Sequence, residues 1–327
     1  MSHFTVHAAS FSLFVERSRR LGVAELERRT FALELSGIYP AIVTPFHADG
    51  VFHASIFEKH ILRLYEAGVD GLYVLGQTGE GALQSVKQRK LVLEAAVRSS
   101  PPGKQIIVHV GAGTTLDAIE LARHAESAGA HFISSLPPIG SYNYAEIRSY
   151  YEALAASTKL PLLLYRYPET CPEITPERAL DLCSIPNVVG FKFTDFNLFL
   201  LTLLRARGKT ILYGRDEQFA AGLMLGACGG IGTFYNIFPR LFVAIFRFAQ
   251  REEWSEAARL QLLVNPVLKS IFDAELLPAT REILKLQGFP CGDALLPRAL
   301  MSKTARSALR QVMHGLPTEL EQYLIRA

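Results

Sequence analysis

The run Val188-Val189-Gly190-Phe191-Lys192-Phe193-Thr194 reads as a short buried strand that carries a single lysine. Side chains alternate between the two faces of a strand, so Val189, Phe191 and Phe193 share one face, and Gly190, Lys192 and Thr194 the other. An ammonium in such apolar company meets a large desolvation cost unless it is paired or loses its proton. Two readings are open. A lysine paired with a carboxylate, or reaching solvent at the strand end, is structural. A lysine that loses its proton near neutral pH is a nucleophile, able to form a Schiff base with a carbonyl compound.

Similar runs recur on both sides of this strand. From Gly37 onward, short apolar runs alternate with longer amphipathic stretches. Strands are expected at 38–43, 71–75, 105–110, 132–136, 161–165, 188–193, 211–214 and 230–233. Helical patterns lie between them, such as 55–66, 87–98 and 116–127, the last opened by Thr114 three residues before Asp117 in a capping-box arrangement. The endings Glu66-Ala67-Gly68, Ser127-Ala128-Gly129 and Leu225-Gly226-Ala227 each precede a strand, and their glycines can supply the left-handed stop that turns the chain back. Eight strands with intervening helices predict an α/β fold, a (β/α)8 TIM barrel over residues 36–250. After Asn236 the strands stop. Helices over 238–250, 253–270, 279–286 and 303–314 predict the eighth barrel helix and then a C-terminal helical appendage, residues 251–327, packed on the barrel.

Composition bounds the function classes. The chain has 327 residues, 49% of them hydrophobic and 20% charged, as in a soluble globular protein with an ample core. A net charge of +3 gives no support to a nucleic-acid or membrane-surface partner. The four cysteines, Cys171, Cys183, Cys228 and Cys291, form no CxxC and no metal-ligand spacing, which fits a reducing, cytoplasmic compartment. No run approaches the roughly 20 apolar residues that span a bilayer. Residues 1–35 lack an apolar signal core and read as an N-terminal extension, with Arg17, Arg19 and Arg20 on a solvated helix face.

In such barrels the active site lies where the strands end. Strand two ends in Gly76-Gln77-Thr78-Gly79-Glu80-Gly81, whose glycines free backbone N–H groups for a carboxylate or phosphate, with Gln77 and Thr78 adding side-chain donors. A plain capped turn is the alternative, and no Gly-Lys-Ser/Thr follows to make a nucleotide loop. Strand five ends at Tyr165, a phenol that can shuttle protons beside a neutral lysine or simply fill the core. Strand seven ends in Gly214-Arg215-Asp216-Glu217, where the acids can cap a helix or accept from sugar hydroxyls. Strand eight ends in Gly232-Thr233-Phe234-Tyr235-Asn236, adding a hydroxyl.

Gly76-Gln77-Thr78-Gly79-Glu80, then Tyr165 with Pro168, then Gly190-Phe191-Lys192, in this order and spacing, resemble the dihydrodipicolinate synthase/N-acetylneuraminate lyase family over about residues 36–315. The resemblance implies a homotetrameric barrel whose lysine forms a Schiff base with pyruvate or another 2-oxo acid, without metal or organic cofactor. The lyase branch is the nearer likeness. Gly190–Asp195, Gly214–Gln218 and Gly232–Asn236 look like its lysine strand, its sugar-holding acidic segment and its strand-eight end, and Thr170 stands where synthases carry an arginine. It implies cleavage of a 2-oxo sugar acid, N-acetylneuraminate foremost, to pyruvate and an aldehyde. Lys192 and Tyr165 would be catalytic, and Gln77, Thr78, Gly79, Thr194, Gly214, Asp216, Glu217 and Thr233 would bind substrate. Gln77 replaces a hydroxyl residue, Arg166 a smaller one and Ile139 a tyrosine, which leaves open another pyruvate-dependent aldolase or dehydratase, such as a 2-keto-3-deoxy-gluconate aldolase or dihydrodipicolinate synthase. A barrel that binds sugar acids without catalysis is the remaining alternative.

Overall fold

The computed structural model describes residues 35–325. The extension expected over 1–35, with its Arg17, Arg19 and Arg20 helix face, lies outside the described residues but for its last position. Eight parallel strands form one sheet: β1 (Gly37–Pro40), β2 (Gly71–Val74), β3 (Gln105–His109), β4 (Phe132–Ser135), β5 (Leu162–Arg166), β6 (Val188–Phe193), β7 (Thr210–Tyr213) and β8 (Gly229–Gly232). Their order is β1-β8-β7-β6-β5-β4-β3-β2. The sheet closes between β1 and β2 through a parallel bridge from Ala41 to Tyr73, with Ile42 N donating to Tyr73 O at 3.0 Å. The Asp70 carboxylate completes the seam by accepting from Ile38 N at 2.8 Å.

Helices follow the strands in turn: α1 (Ala54–Glu66), α2 (Val86–Ser99), α3 (Thr115–Ala128), α4 (Tyr144–Ala156), α5 (Pro176–Leu182), α6 (Leu198–Ala206), α7 (Phe219–Met224) and α8 (Pro239–Gln250). Gly68, Gly129 and Gly226 take the expected left-handed turn, with φ of +93°, +90° and +100°. Thr114 caps α3 by accepting from Asp117 N at 3.0 Å, but the return bond of a capping box does not form.

Strands covered on both faces read as continuous apolar runs, and this barrel shows why. One set of side chains, including Ile38, Leu72, Val74, Ile106, Val108, Leu164, Phe191 and Phe193, packs in the buried cluster with the helices. The alternate set, including Tyr39, Tyr73, Ile107, Leu163, Tyr165, Leu212 and Ile231, is buried apart from that cluster, inside the barrel. Strand β6 departs from simple alternation. Leu162 and Leu163 of β5 pair with Val188 and Gly190, so Val189 is bulged out of the ladder. Val188 therefore joins Phe191 and Phe193 in the helix-facing core, while Val189 is half-buried. Gly190 permits this tight crossing, since a Cβ there would lie 2.0 Å from Thr210 O.

The chain ends in α9 (Trp254–Asp273), α10 (Leu276–Leu286), α11 (Lys303–His314) and the short α12 (Thr318–Glu321). Both α9 and α10 are longer than the sequence pattern suggested. Leu260, Val264 and Leu268 of α9 and Ile283 of α10 lie in the same buried cluster as the barrel helices. Among the described residues, no helix is long and apolar enough to cross a membrane.

Candidate active site

A cavity of about 600 Å³ opens at the C-terminal ends of the strands. Lys192 lines it from β6, with Tyr165 from β5, Gln77 and Thr78 from the loop after β2, and Thr194, Gly214, Asp216, Glu217 and Thr233 from the ends of β6 to β8. The fold thus brings nine of the ten site residues expected from sequence to one cavity. Gly79 is not among the lining residues. Its carbonyl is taken by the Thr44 hydroxyl at 2.9 Å and by Gln84 Nε2 at 2.8 Å.

Lys192 is 4% exposed and forms no ion pair among the described residues. Its Nζ lies 4.0 Å from the centre of the Tyr73 ring and 4.1 Å from that of Tyr165. Burial pushes its pKa down to about 7, against the pull of the Asp216 charge. The amine is therefore available unprotonated near neutral pH. Burial also holds the Tyr165 phenol well above its ordinary range, so it stays protonated, and it donates to Gln77 Oε1 at 3.4 Å.

The loop after β2 is held in a costly shape. Leu75 and Glu80 have φ of +62° and +52°, a left-handed backbone without glycine. The buried Glu80 carboxylate anchors it, accepting from Arg281 Nε at 3.0 Å and from Leu295 N at 2.7 Å. Arg281 continues to Thr44 O and Cys291 O, both at 2.9 Å. Across the cavity floor the Thr78 and Thr233 hydroxyls lie 2.7 Å apart.

The opposite wall is acidic. Asp216 Oδ2 accepts from Phe234 N at 2.9 Å, whereas buried Oδ1 has no partner among the described residues. Burial raises the Asp216 carboxyl to about 7, the Phe234 N–H opposing and neighbouring Glu217 adding to the rise. Burial also raises Glu217. Gly232 is required here, because a Cβ would stand 2.1 Å from Asp216 Oδ1. Helix α9 fixes this turn from behind: Gln261 Nε2 donates to Asp216 O and Asn265 Nδ2 to Glu217 O, each at 3.0 Å. The buried Thr194 hydroxyl lies beside the Tyr165 phenol, whose pKa it lowers against the effect of burial.

Arg166 does not reach the cavity. It points away from Tyr165 along the strand alternation, pairing with Asp195 at 2.6 Å and donating to Ile174 O at 2.6 Å. Its replacement of a smaller residue therefore leaves the cavity lining unchanged. Thr170 does line the cavity, and Ile139 is 73% exposed outside it. Other residues escaped the sequence reading. Arg215 lies over the Phe196 ring at 3.9 Å and pairs with Glu169 at the mouth. Phe272 of α9, Glu275 just before α10 and Arg298 in the segment between α10 and α11 bring the C-terminal part of the chain into the outer wall. No local pattern marks these wall residues. Tyr73 escaped the sequence reading too, although alternation along β2 would have placed it inward. Among the described residues, no group of three or more His, Cys, Asp or Glu side chains could hold a metal.

Many known proteins resemble this chain in sequence or in fold. The chain is 33% identical over 284 residues to the N-acetylneuraminate lyase of Rhizobium meliloti, covering 86% of this chain and 95% of the relative. The sialic acid aldolase of Ruminococcus gnavus superposes with a TM-score of 0.84 at 25% identity, over 89% of this chain and 100% of that one. A dihydrodipicolinate synthase structure superposes with 0.81 at 29% identity, over 86% and 99%. Backbone shape alone thus does not separate the two branches. The model of the Dihydrodipicolinate synthetase family matches residues 34–315. The chain belongs to the dihydrodipicolinate synthetase family and is a lyase of the class I aldolase type.

Proposed function

We propose that this lyase cleaves N-acetylneuraminate to pyruvate and N-acetylmannosamine through a Schiff base on Lys192. The observation that carries the reading is the buried, unpaired Lys192 amine facing a polar cavity between two aromatic rings. The neutral amine adds to C2 of the open-chain sugar acid, and loss of water with uptake of one proton from solvent leaves a protonated imine, the proton being returned when the imine is finally hydrolysed. Thr78, Gln77 and nearby backbone N–H groups hold the C1 carboxylate. Asp216, Glu217, Thr194 and Thr233 meet the sugar hydroxyls, and Gly214 leaves them room.

The C4 hydroxyl then gives its proton to Tyr165 as the C3–C4 bond breaks. The bond's electron pair moves into the imine, which becomes an enamine. A protonated phenol accepts this proton only by passing its own onward, and the substrate carboxylate is the acceptor within reach of such a relay. The aldehyde leaves, C3 of the enamine takes up a proton, and water hydrolyses the imine to free pyruvate and the Lys192 amine. The imine is the electron sink, so the reaction as written calls on no metal or organic cofactor.

Incubation with pyruvate and borohydride, followed by peptide mapping, tests the reading. A single pyruvate-derived adduct on the Lys192 peptide is expected, with both adduct and turnover lost in Lys192→Arg. Turnover that survives Lys192→Arg would sink it. Gln77 favours a second reading, since an amide cannot relay a proton as a hydroxyl does. The substrate would then be another 2-oxo sugar acid. Comparing kcat/KM on N-acetylneuraminate and 2-keto-3-deoxy-gluconate decides between them.

A further inference from the structure

The ring of Tyr73 has no part in the proton transfers above, yet it is built into the site with care. It is fully buried, and its hydroxyl is engaged by donating to Ser134 Oγ at 3.2 Å. Its face is turned to Lys192 Nζ, 4.0 Å from the ring centre. Its plane stands at 87° to the Tyr165 ring, with centroids 6.3 Å apart. The loop glycine Gly76 makes room for it: a Cβ there would lie 2.4 Å from the ring. The same loop carries Gln77 and Thr78, so the ring is seated by the segment that lines the cavity floor.

A cation this deep has few partners. Asp216 faces Lys192 from the end of β7 but forms no ion pair with it among the described residues. Tyr73 from β2 and Tyr165 from β5 are phenols kept protonated by burial. His109 from β3 is kept neutral by burial, with Arg89 and Lys192 acting in the same direction. An aromatic face is negative at its centre, and a desolvated cation over it is stabilised appreciably.

We propose that Tyr73 is a positioning residue whose ring face stabilises the positive charge on the Lys192 nitrogen, above all in the protonated imine. The inference rests on the Schiff-base reading. It assigns the function to the ring, not to the hydroxyl. A larger fraction of cationic imine means a better electron sink, so weakening the ring slows bond cleavage. The free ammonium feels the same face. A weaker ring therefore lets the amine lose its proton at lower pH.

The test keeps the shape and changes only the face. Tyr73→Phe is the reference, followed by phenylalanines with one, two and three ring fluorines at position 73, each weakening the ring's negative centre. For Tyr73→Phe, kcat within about threefold of the unsubstituted enzyme is expected. Across the fluorinated series, kcat should fall in order, to about a tenth of the Phe value. Over the same series the acid limb of pyruvate adduct formation should move about one pH unit lower. A ring that merely fills space would move neither in order. A flat series with the Lys192 adduct intact overturns the inference alone. A loss at Tyr73→Phe as large as that of the whole series gives the role to the hydroxyl and also overturns it. Absence of any adduct in the unsubstituted enzyme overturns the Schiff-base reading itself.

Discussion

Replacing Lys192 by methionine should destroy turnover and make the protein more stable. In an unfolded chain this lysine titrates at 10.5, and in the folded protein at about 7. Between those values the unfolded chain binds more protons than the folded one. Proton binding therefore favours unfolding, and stability rises with pH across this window. At 1.36 kcal/mol per pH unit, the lysine costs the folded state about 4 kcal/mol at pH 7, fading to under about 0.5 kcal/mol near pH 10.5. Methionine fills similar space and needs no solvation, but gives up the attraction to the two rings. The expected gain is about 2–4 kcal/mol at pH 7, shrinking steadily as pH rises. Urea unfolding of both proteins at pH 7, 8, 9 and 10 reads the difference directly. Asp216, whose carboxyl is raised from 3.8 to about 7, adds its own cost as pH rises from 4 to 7, and because the Lys192 charge lowers it, that cost is larger in the variant and takes back part of the gain at and above pH 7. A variant no more stable than its parent at pH 7, or a difference independent of pH, would refute the reasoning.

Glu80→Gln should cost about 3–5 kcal/mol in urea unfolding, because it leaves the Arg281 charge buried without its carboxylate. The double variant Glu80→Gln with Arg281→Met should recover most of that loss, and a double variant as unstable as the single one would show that the pair's charges are not the cause. Gly214→Ala would set a Cβ 2.1 Å from Thr194 Oγ1, which has to move. On the proposed reading, kcat/KM for the sugar acid should fall about 100-fold, while pyruvate adduct formation on Lys192 stays near its original rate. An equal loss in both assays would place Thr194 and Gly214 with the lysine instead of with the sugar.

The strands were legible because a parallel barrel buries both faces of each one, leaving apolar runs that no exposed segment tolerates. The strand ends were legible for a related reason. Glycines and polar side chains clustered after apolar runs have no place in a core, which drew attention to Gln77, Thr78, Asp216 and Thr233. Alternation alone places Arg166 opposite Tyr165, and the structure pairs it with Asp195 there. The bulge at Val189 was not legible, since it depends on how β6 meets β5. Nor was the Glu80–Arg281 pair, whose members lie 201 positions apart and meet only through the packing of α10.

That pair changes the standing of the C-terminal helices. Sequence periodicity presents them as an appendage, because the eight strand–helix units are complete before them. The site is not. Gln261 and Asn265 of α9 hold the backbone of Asp216 and Glu217, whose carboxyl groups line the cavity. Arg281 of α10 holds Glu80 at the end of the loop that carries Gln77 and Thr78. Both polar walls around Lys192 are thus fixed from outside the barrel. A loop with two non-glycine residues in left-handed geometry does not keep its shape without such an anchor. A buried, unpartnered carboxylate oxygen likewise needs a rigid turn to hold it away from water. The helices after Gln250 therefore help to build the candidate site, while the barrel strands carry its Lys192 and Tyr165.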